Sequence, residues 1–132
     1  MPNILAFAET RLGELRRAGL EAVTAARQVA DSTGGQVHAV LAGGPGVGQF
    51  VAKLAAHGAD VVLVLEHDAF ANYNPEAIVA TLAQRLGSGY RAAFFAASAQ
   101  GHDLVARVAA KMKIAYASDV TEFAFAGDSV TV

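Results

Sequence analysis

Two short stretches of the chain contain residue types that could bind a ligand, and each lies between a predicted strand and a predicted helix. The first, GGPGVG over residues 43–48, is mostly glycine. Glycines at such a junction let a phosphate approach the backbone N–H groups at a helix start. The second, SAQGHD over residues 98–103, combines hydroxyl, amide, imidazole and carboxylate side chains. Both stretches are therefore candidate ligand sites.

The glycine stretch does not match either common phosphate-binding motif. The dinucleotide fingerprint GxGxxG, counted from Gly44 and Gly46, requires a third glycine where Gln49 stands. Gly43 and Gly48 have the spacing of a P-loop, but Gln49 and Phe50 replace its lysine and hydroxyl residue. The stretch also follows the second strand, whereas the dinucleotide fingerprint follows the first. A turn without a ligand is the favoured interpretation.

The second stretch carries no recognisable catalytic set. Ser98 lies in AASAQ and lacks the GxSxG elbow of a hydrolase nucleophile. Asp103 would oppose a bound anion, and the helix dipole alone explains a carboxylate at a helix start. His102 at this helix start is interpreted as a solvated or interface residue. We therefore predict that the chain is not an enzyme.

Metal and thiol chemistry are not expected either. The four histidines are scattered and none has the spacing of HExxH, so we predict no metal site. The chain has no cysteine, which excludes disulfides and thiolate chemistry and fits a cytoplasmic protein.

Hydrophobic periodicity predicts four strand–helix units followed by short strands. The predicted strands are residues 3–8, 36–42, 60–65 and 92–97, and the predicted helices are 14–31, 47–57, 75–86 and a last one ending near Met112. The strand at 60–65 is rich in β-branched residues and is expected to be central. A short fifth strand is expected at 114–117. Residues 120–126 and 129–132 alternate like a hairpin around Gly127-Asp128.

These units predict a single α/β domain over residues 1–132. We expect a three-layer, doubly wound, mainly parallel sheet with helices on both faces and a short antiparallel C-terminal hairpin. The net charge of −2 and a single basic cluster (Arg11, Arg16 and Arg17) argue against a nucleic-acid surface. No apolar run approaches the roughly 18 residues that would span a bilayer. Residues 1–8 lack the basic flank of a signal peptide.

Several segments resemble the N-terminal domain of the electron transfer flavoprotein alpha subunit. The most specific are GADVVLV followed by the YNPE helix start at residues 73–76, and GHDLVARVAAKM followed by SDVT at residues 118–121. The family's usual helix entry is closer to GRDLAPRVAARL, so that His102 replaces an arginine and Ala106 a proline. The resemblance covers nearly the whole chain.

The resemblance implies a heterodimer with an electron transfer flavoprotein beta subunit, which passes electrons from dehydrogenases to an acceptor through FAD. In that family a second domain supplies most FAD contacts, and the AMP site lies in the beta subunit. No motif of the second domain occurs before Val132. We therefore expect a first domain without the FAD-binding domain and predict no FAD residue in this chain.

Two functions are carried forward. The leading hypothesis is a structural and subunit-docking domain, with a close-packing surface that could include Ala55, Ala56, Ala109 and Ala110 unless these face the domain's own sheet. The alternative is a standalone adenine-nucleotide-binding protein that uses the loops at the strand ends. Its predicted ligand-contacting residues are Ala8, Glu9, Gly43, Gly44, Ser98, Gln100 and Gly101.

Overall fold

The computed structural model describes residues 3–87, 90–96, 98–113, 124–126 and 129–131. The strands are β1 (Ile4–Ala8), β2 (Thr10–Arg11), β3 (Glu14–Leu15), β4 (Val37–Gly43), β5 (Val61–Glu66), β6 (Ala92–Phe94), β7 (Ala124–Ala126) and β8 (Ser129–Thr131). The helices are α1 (Arg17–Thr33), α2 (Val51–Ala56), α3 (Pro75–Leu86) and α4 (Ala99–Met112). Single 3₁₀ turns cover Val47–Phe50 and Asp68–Phe70.

Four parallel strands form the main sheet in the order β5-β4-β1-β6. The chain adds β4 and β5 on one side of β1 and then returns to place β6 on the other side. This reversal is the mark of a doubly wound sheet, whose ligands usually bind at the carboxyl ends of the strands where the order reverses. The predicted fold class is confirmed.

Helices cover both faces of the sheet because the side chains of β1 alternate between them. Ile4, Ala6 and Ala8 pack with buried residues of α1 and α2, whereas Leu5 and Phe7 pack with buried residues of α3 and α4. Every residue of β1 is buried. The strand is therefore apolar along its whole length, as expected for a parallel strand that is covered on both faces.

The prediction that residues 60–65 form a central strand was wrong. β5 lies at the edge of the described sheet, and Val64 is 39% exposed. Branched side chains favour a pleated, partly buried surface, but they do not fix how many neighbours a strand has. The order of the strands follows from the crossover connections, which the local composition does not encode.

The prediction that a helix begins at Glu14 was also wrong. β2 and β3 form a small antiparallel hairpin, with Thr10 opposite Leu15 and Arg11 opposite Glu14. Its turn residues Leu12 and Gly13 both have positive φ, at 52° and 80°. Helix α1 begins only at Arg17, and Gly34 ends it in the left-handed conformation, as the sequence predicted.

At the other end of the chain, the last predicted helix begins earlier, and the last predicted hairpin (120–126 and 129–132) is confirmed in the pairing of residues 124–126 with 129–131, while 120–123 and Val132 lie outside the described residues. Ser98 caps α4, which begins at Ala99, so most of the predicted SAQG loop is the first helical turn. The preceding strand is shorter than predicted and ends at Phe94. β7 and β8 pair antiparallel. The predicted strand at 114–117 and the Gly127-Asp128 turn lie outside the described residues.

Candidate functional site

A cleft of about 410 Å³ lies at the carboxyl ends of the inner strands β1 and β4. We call it the strand-end cleft. It is bordered by the β2–β3 hairpin, by the loop that follows β4 and by the segment that leads into α3. Its polar lining includes Thr10, Arg11, Gln49, Asn72, Tyr73 and Gln100. A volume of this size is within the range that holds small organic ligands.

The structure divides the seven residues predicted for a nucleotide site into two groups. Gly43, Gly44 and Gln100 line the strand-end cleft. The other four, Ala8, Glu9, Ser98 and Gly101, lie at the junction of β1 with the start of α4 and are not among the cleft-lining residues. Arg11 and Tyr73 also line the cleft but were not predicted for the site. Arg11 was missed because the β2–β3 hairpin that carries it was not foreseen.

Close packing accounts for Gly43, the last residue of β4, and for Gly44, which begins the loop after it. A Cβ atom on Gly43 would collide with the side chain of Val47, and one on Gly44 would lie 3.0 Å from the Cβ of Ala71. Gly46 has a φ of 93°, which other residues rarely adopt. These glycines therefore have structural reasons that require no ligand, in agreement with the interpretation of this stretch as a turn.

A carboxylate of the chain itself occupies the anion position of this loop. The backbone N–H of Gly46 donates a hydrogen bond of 2.9 Å to Oε1 of Glu66, the last residue of β5. The N–H groups of Val47 and Gln49 donate to the carbonyl oxygens of Gly44 and Gly46 within the loop. A phosphate would have to displace the Glu66 side chain to reach the Gly46 N–H.

A second carboxylate lies at the start of α4. The Ser98 hydroxyl donates a 2.5 Å hydrogen bond to Oε1 of Glu9, and its oxygen accepts one of 3.0 Å from the Gly101 N–H. Glu9 is only 3% exposed although it carries an ionisable side chain. An acidic side chain at this place lies near the positive end of the dipole of α4, which favours a negative group. The junction between β1 and β6, where this fold usually binds a ligand, is thus closed by the chain's own residues.

Gly101 has a steric role at the same junction. A Cβ atom there would overlap the carbonyl oxygen of Ala96, which belongs to the backbone and cannot rotate away. A bulky replacement would therefore disturb the fold itself. A bulky residue at position 101 therefore cannot test nucleotide binding separately from the fold.

One wall of the cleft is held by a polar chain between the α3 entry and α4. The Tyr73 hydroxyl donates to Oδ2 of Asp103 at 2.6 Å, and the Nε of Arg107 donates to Oδ1 of Asp103 at 2.8 Å. These two hydrogen bonds lower the pKa of the Asp103 carboxyl. Burial, and then the hydrogen bond to Asp103, raise the pKa of the Tyr73 phenol. Asp103 thus has a structural role on this wall.

The alanines considered for a docking surface do not all face the same way. Ala55, Ala56 and Ala110 are exposed, whereas Ala109 is buried in the domain core.

Within the described residues, no group of three histidine or acidic side chains could hold a metal ion. None of the helices in the described part of the chain is long and apolar enough to cross a membrane.

The sequence matches the electron transfer flavoprotein domain over residues 4–132. It is 33% identical over 114 residues to an electron transfer flavoprotein subunit alpha from Syntrophomonas wolfei, covering 86% of this chain and 34% of that protein. It is 36% identical over 122 residues to Protein FixB of Clostridium saccharobutylicum, covering 90% of this chain and 35% of that protein. The chain thus spans about a third of the length of these relatives.

A structural comparison supports the fold independently. A universal stress protein, whose crystal structure is a complex with cAMP, superposes with a TM-score of 0.50 at 16% identity. The match covers 92% of this chain and 98% of that one. At this identity the likeness concerns the fold alone, and it is the α/β fold described above.

Proposed function

This chain belongs to the electron transfer flavoprotein domain family, and we propose that it is a structural and subunit-docking domain of an alpha-type subunit. Its partner would be a beta-type subunit. The complex would carry electrons from dehydrogenases through FAD bound mainly by residues outside this chain. The resemblance found in the sequence is confirmed by the family match and by the alpha-subunit relatives. These relatives are electron carriers, so the domain needs no catalytic set of its own.

The main structural support for this proposal is that Glu9 and Ser98 fill the junction between β1 and the start of α4. Folds of this kind bind ligands at the carboxyl ends of strands where the strand order reverses. Here that position holds a buried carboxylate that accepts a 2.5 Å hydrogen bond. A phosphate at this junction would meet the acidic side chain of Glu9 in place of a cationic partner.

Within the described residues, the loop after β4 and the strand-end cleft do not fit the pyrophosphate of FAD. The loop amide that could receive a phosphate, the Gly46 N–H, already donates to Glu66. Arg11 is the one cationic side chain among the residues that line the strand-end cleft. On our proposal the domain supports the flavin site indirectly, and no flavin contact is assigned to its described residues.

The alternative, an adenine-nucleotide-binding protein, is supported by one structural fact. The strand-end cleft has the size of a ligand site, and three of the predicted contacts, Gly43, Gly44 and Gln100, line it. The likeness to the universal stress protein concerns the fold alone and does not favour either function. A bound nucleotide would have to compete with Glu66 for the Gly46 N–H. The nucleotide-binding hypothesis is therefore weaker than the docking hypothesis.

Titration of the purified chain with AMP, ATP and FAD tests the proposal, with the melting temperature as the readout. A ligand at about 100 times its dissociation constant would stabilise the fold by roughly 2.7 kcal/mol, which is easily seen as a shift. We expect no shift with any of the three. A shift with AMP or ATP would favour the nucleotide-binding alternative, and a shift with FAD would place flavin contacts in this domain.

The variant Glu66→Gln is the matched control for this titration. The substitution keeps the size of the side chain and removes its charge, so that the Gly46 loop no longer holds an anion. A shift with ATP in Glu66→Gln but not in the original chain would show that the carboxylate blocks phosphate. Co-purification with the beta-type subunit of the same organism tests the docking function directly, and failure to associate would contradict it.

A further inference from the structure

The tip of the β2–β3 hairpin exposes an apolar side chain in an unfavourable backbone conformation. Leu12 is 81% exposed, about twice as much as the other large exposed hydrophobic residues, Val64 at 39% and Tyr73 at 42%. Its φ is 52°, in the left-handed region. Most of its surface therefore gains nothing from folding within the described part of the domain.

The local sequence is a poor choice for this turn. A two-residue hairpin turn with positive φ at both positions favours Asn-Gly or Asp-Gly. Gly13 satisfies that preference, but Leu12 does not, because its Cβ crowds the following carbonyl in the left-handed conformation. An asparagine at position 12 would suit both the conformation and the solvent. A residue that violates a local rule without a compensating contact is a candidate for function.

The hairpin that presents Leu12 is anchored to the rest of the domain. The Thr10 hydroxyl donates a 2.8 Å hydrogen bond to the carbonyl oxygen of Ala42 at the end of β4. The Arg16 N–H donates to the carbonyl oxygen of Glu9 at 2.9 Å. These bonds hold both ends of the hairpin against β1 and β4. A side chain presented in this way loses little freedom on binding, which favours an anchoring role.

The charges around Leu12 indicate the kind of surface that it would meet. In the segment of residues 11–17, Arg11, Arg16 and Arg17 are all exposed and Glu14 is the one acidic residue, while Glu9 just before the segment is buried. The segment carries a net charge of +2 in a chain whose net charge is −2. Arg17 has only a loose exposed contact of 3.7 Å with Glu21. An apolar tip surrounded by arginines is complementary to an apolar pocket with an acidic rim.

We propose that Leu12 is an anchor residue for the partner protein, inserting its side chain into an apolar pocket with carboxylates on its rim. The inference rests on the proposed function, since the partner it commits to is the beta-type subunit. It adds the location of the contact, the tip of the β2–β3 hairpin. The unfavourable conformation of Leu12 is retained because the side chain is useful in the complex.

The test compares the original chain with Leu12→Asn in two measurements, the melting temperature of the chain alone and its Kd for the beta-type subunit. We expect Leu12→Asn to raise the melting temperature by about 3 °C, because asparagine tolerates the turn. We expect the same variant to bind the partner at least ten-fold more weakly. A merely structural role for Leu12 would not move the two quantities in opposite directions.

Two controls separate the outcomes. Val64→Thr changes another exposed apolar residue, on β5, and should leave the Kd unchanged. If the original chain binds and Leu12→Asn binds equally well, the anchor is refuted while the proposed function stands. If the original chain does not bind, the proposed function fails and the anchor with it. If Leu12→Asn abolishes self-association of the chain in sedimentation without its partner, the pocket belongs to a second copy and the proposal is wrong.

Discussion

The two loops that follow the inner strands β1 and β4 lie at the same edge of the sheet and differ in almost every respect. The loop after β4 is closed, because its glycines pack against Val47 and Ala71 and the Gly46 N–H is bound by Glu66. The loop after β1 is the β2–β3 hairpin, which ends in the exposed Leu12. In one loop the N–H groups of Gly46, Val47 and Gln49 are hydrogen-bonded within the chain, and the other loop presents an apolar side chain that the described domain does not bury.

This difference shows that resemblance to a motif is a poor guide to function in this domain. Residues 43–48 look most like a phosphate loop, yet their structure is explained by packing and by an internal carboxylate. Residues 10–15 match no motif, yet they contain Leu12, which, like Lys113 at the end of α4, adopts a positive φ that the local sequence disfavours. On our proposal, the edge of the sheet that serves ligands in related folds contacts another protein here.

Substitution of a glycine in the closed loop should have the largest effect on stability. Gly43→Ala introduces a Cβ that collides with the buried Val47, and such overpacking typically costs about 1–3 kcal/mol. Urea denaturation measures the change. Gly48→Ala is the matched control, because nothing lies within 4 Å of its added Cβ, and it should change the free energy of unfolding by less than about 0.5 kcal/mol. Equal effects of the two variants would contradict the packing account.

The wall of the strand-end cleft formed by Tyr73, Asp103 and Arg107 should show a smaller effect on stability that depends on pH. The pKa of Asp103 is lowered in the folded chain by the hydrogen bonds from Tyr73 and Arg107. Its contribution to stability is therefore complete above the ordinary carboxyl pKa of about 3.9 and is lost as the pH falls below it. Asp103→Asn should unfold more easily at pH 7, by less than about 1 kcal/mol because the pair is partly exposed.

Urea unfolding of both proteins at pH 7 and at pH 3 checks this expectation. The gap between the original chain and Asp103→Asn should shrink at pH 3, because protonation removes the charge that the variant lacks. A gap that is the same at both pH values would mean that the Asp103 charge does not stabilise the wall.

Most of the fold could be predicted from the sequence because the four strand–helix units have long and clear apolar periodicity. Pro75 and Gly34 also marked a helix start and a helix end correctly. The β2–β3 hairpin was missed because two-residue strands have no periodicity and Leu-Gly is not a recognised turn signal. The edge position of β5 was missed because strand order depends on crossovers rather than on composition.

The site was predictable only as far as its position in the fold. Gly43, Gly44 and Gln100 were identified because they follow strands, and they do line the strand-end cleft. The contacts that decide its chemistry connect residues far apart in the chain. Glu9 and Ser98 are 89 positions apart, and Gly46 and Glu66 are 20 positions apart. No local pattern indicates that a carboxylate will reach a particular loop amide or hydroxyl.

Amide hydrogen exchange measured on both loops in one experiment is the most direct test of the central claim, that this edge contacts a protein and not a nucleotide. The chain is compared alone, with millimolar ATP and with the beta-type subunit. We predict that the subunit slows exchange across residues 10–15 and that ATP changes neither loop. Slower exchange at residues 43–48 with ATP, or an unchanged hairpin with the subunit bound, would contradict the account.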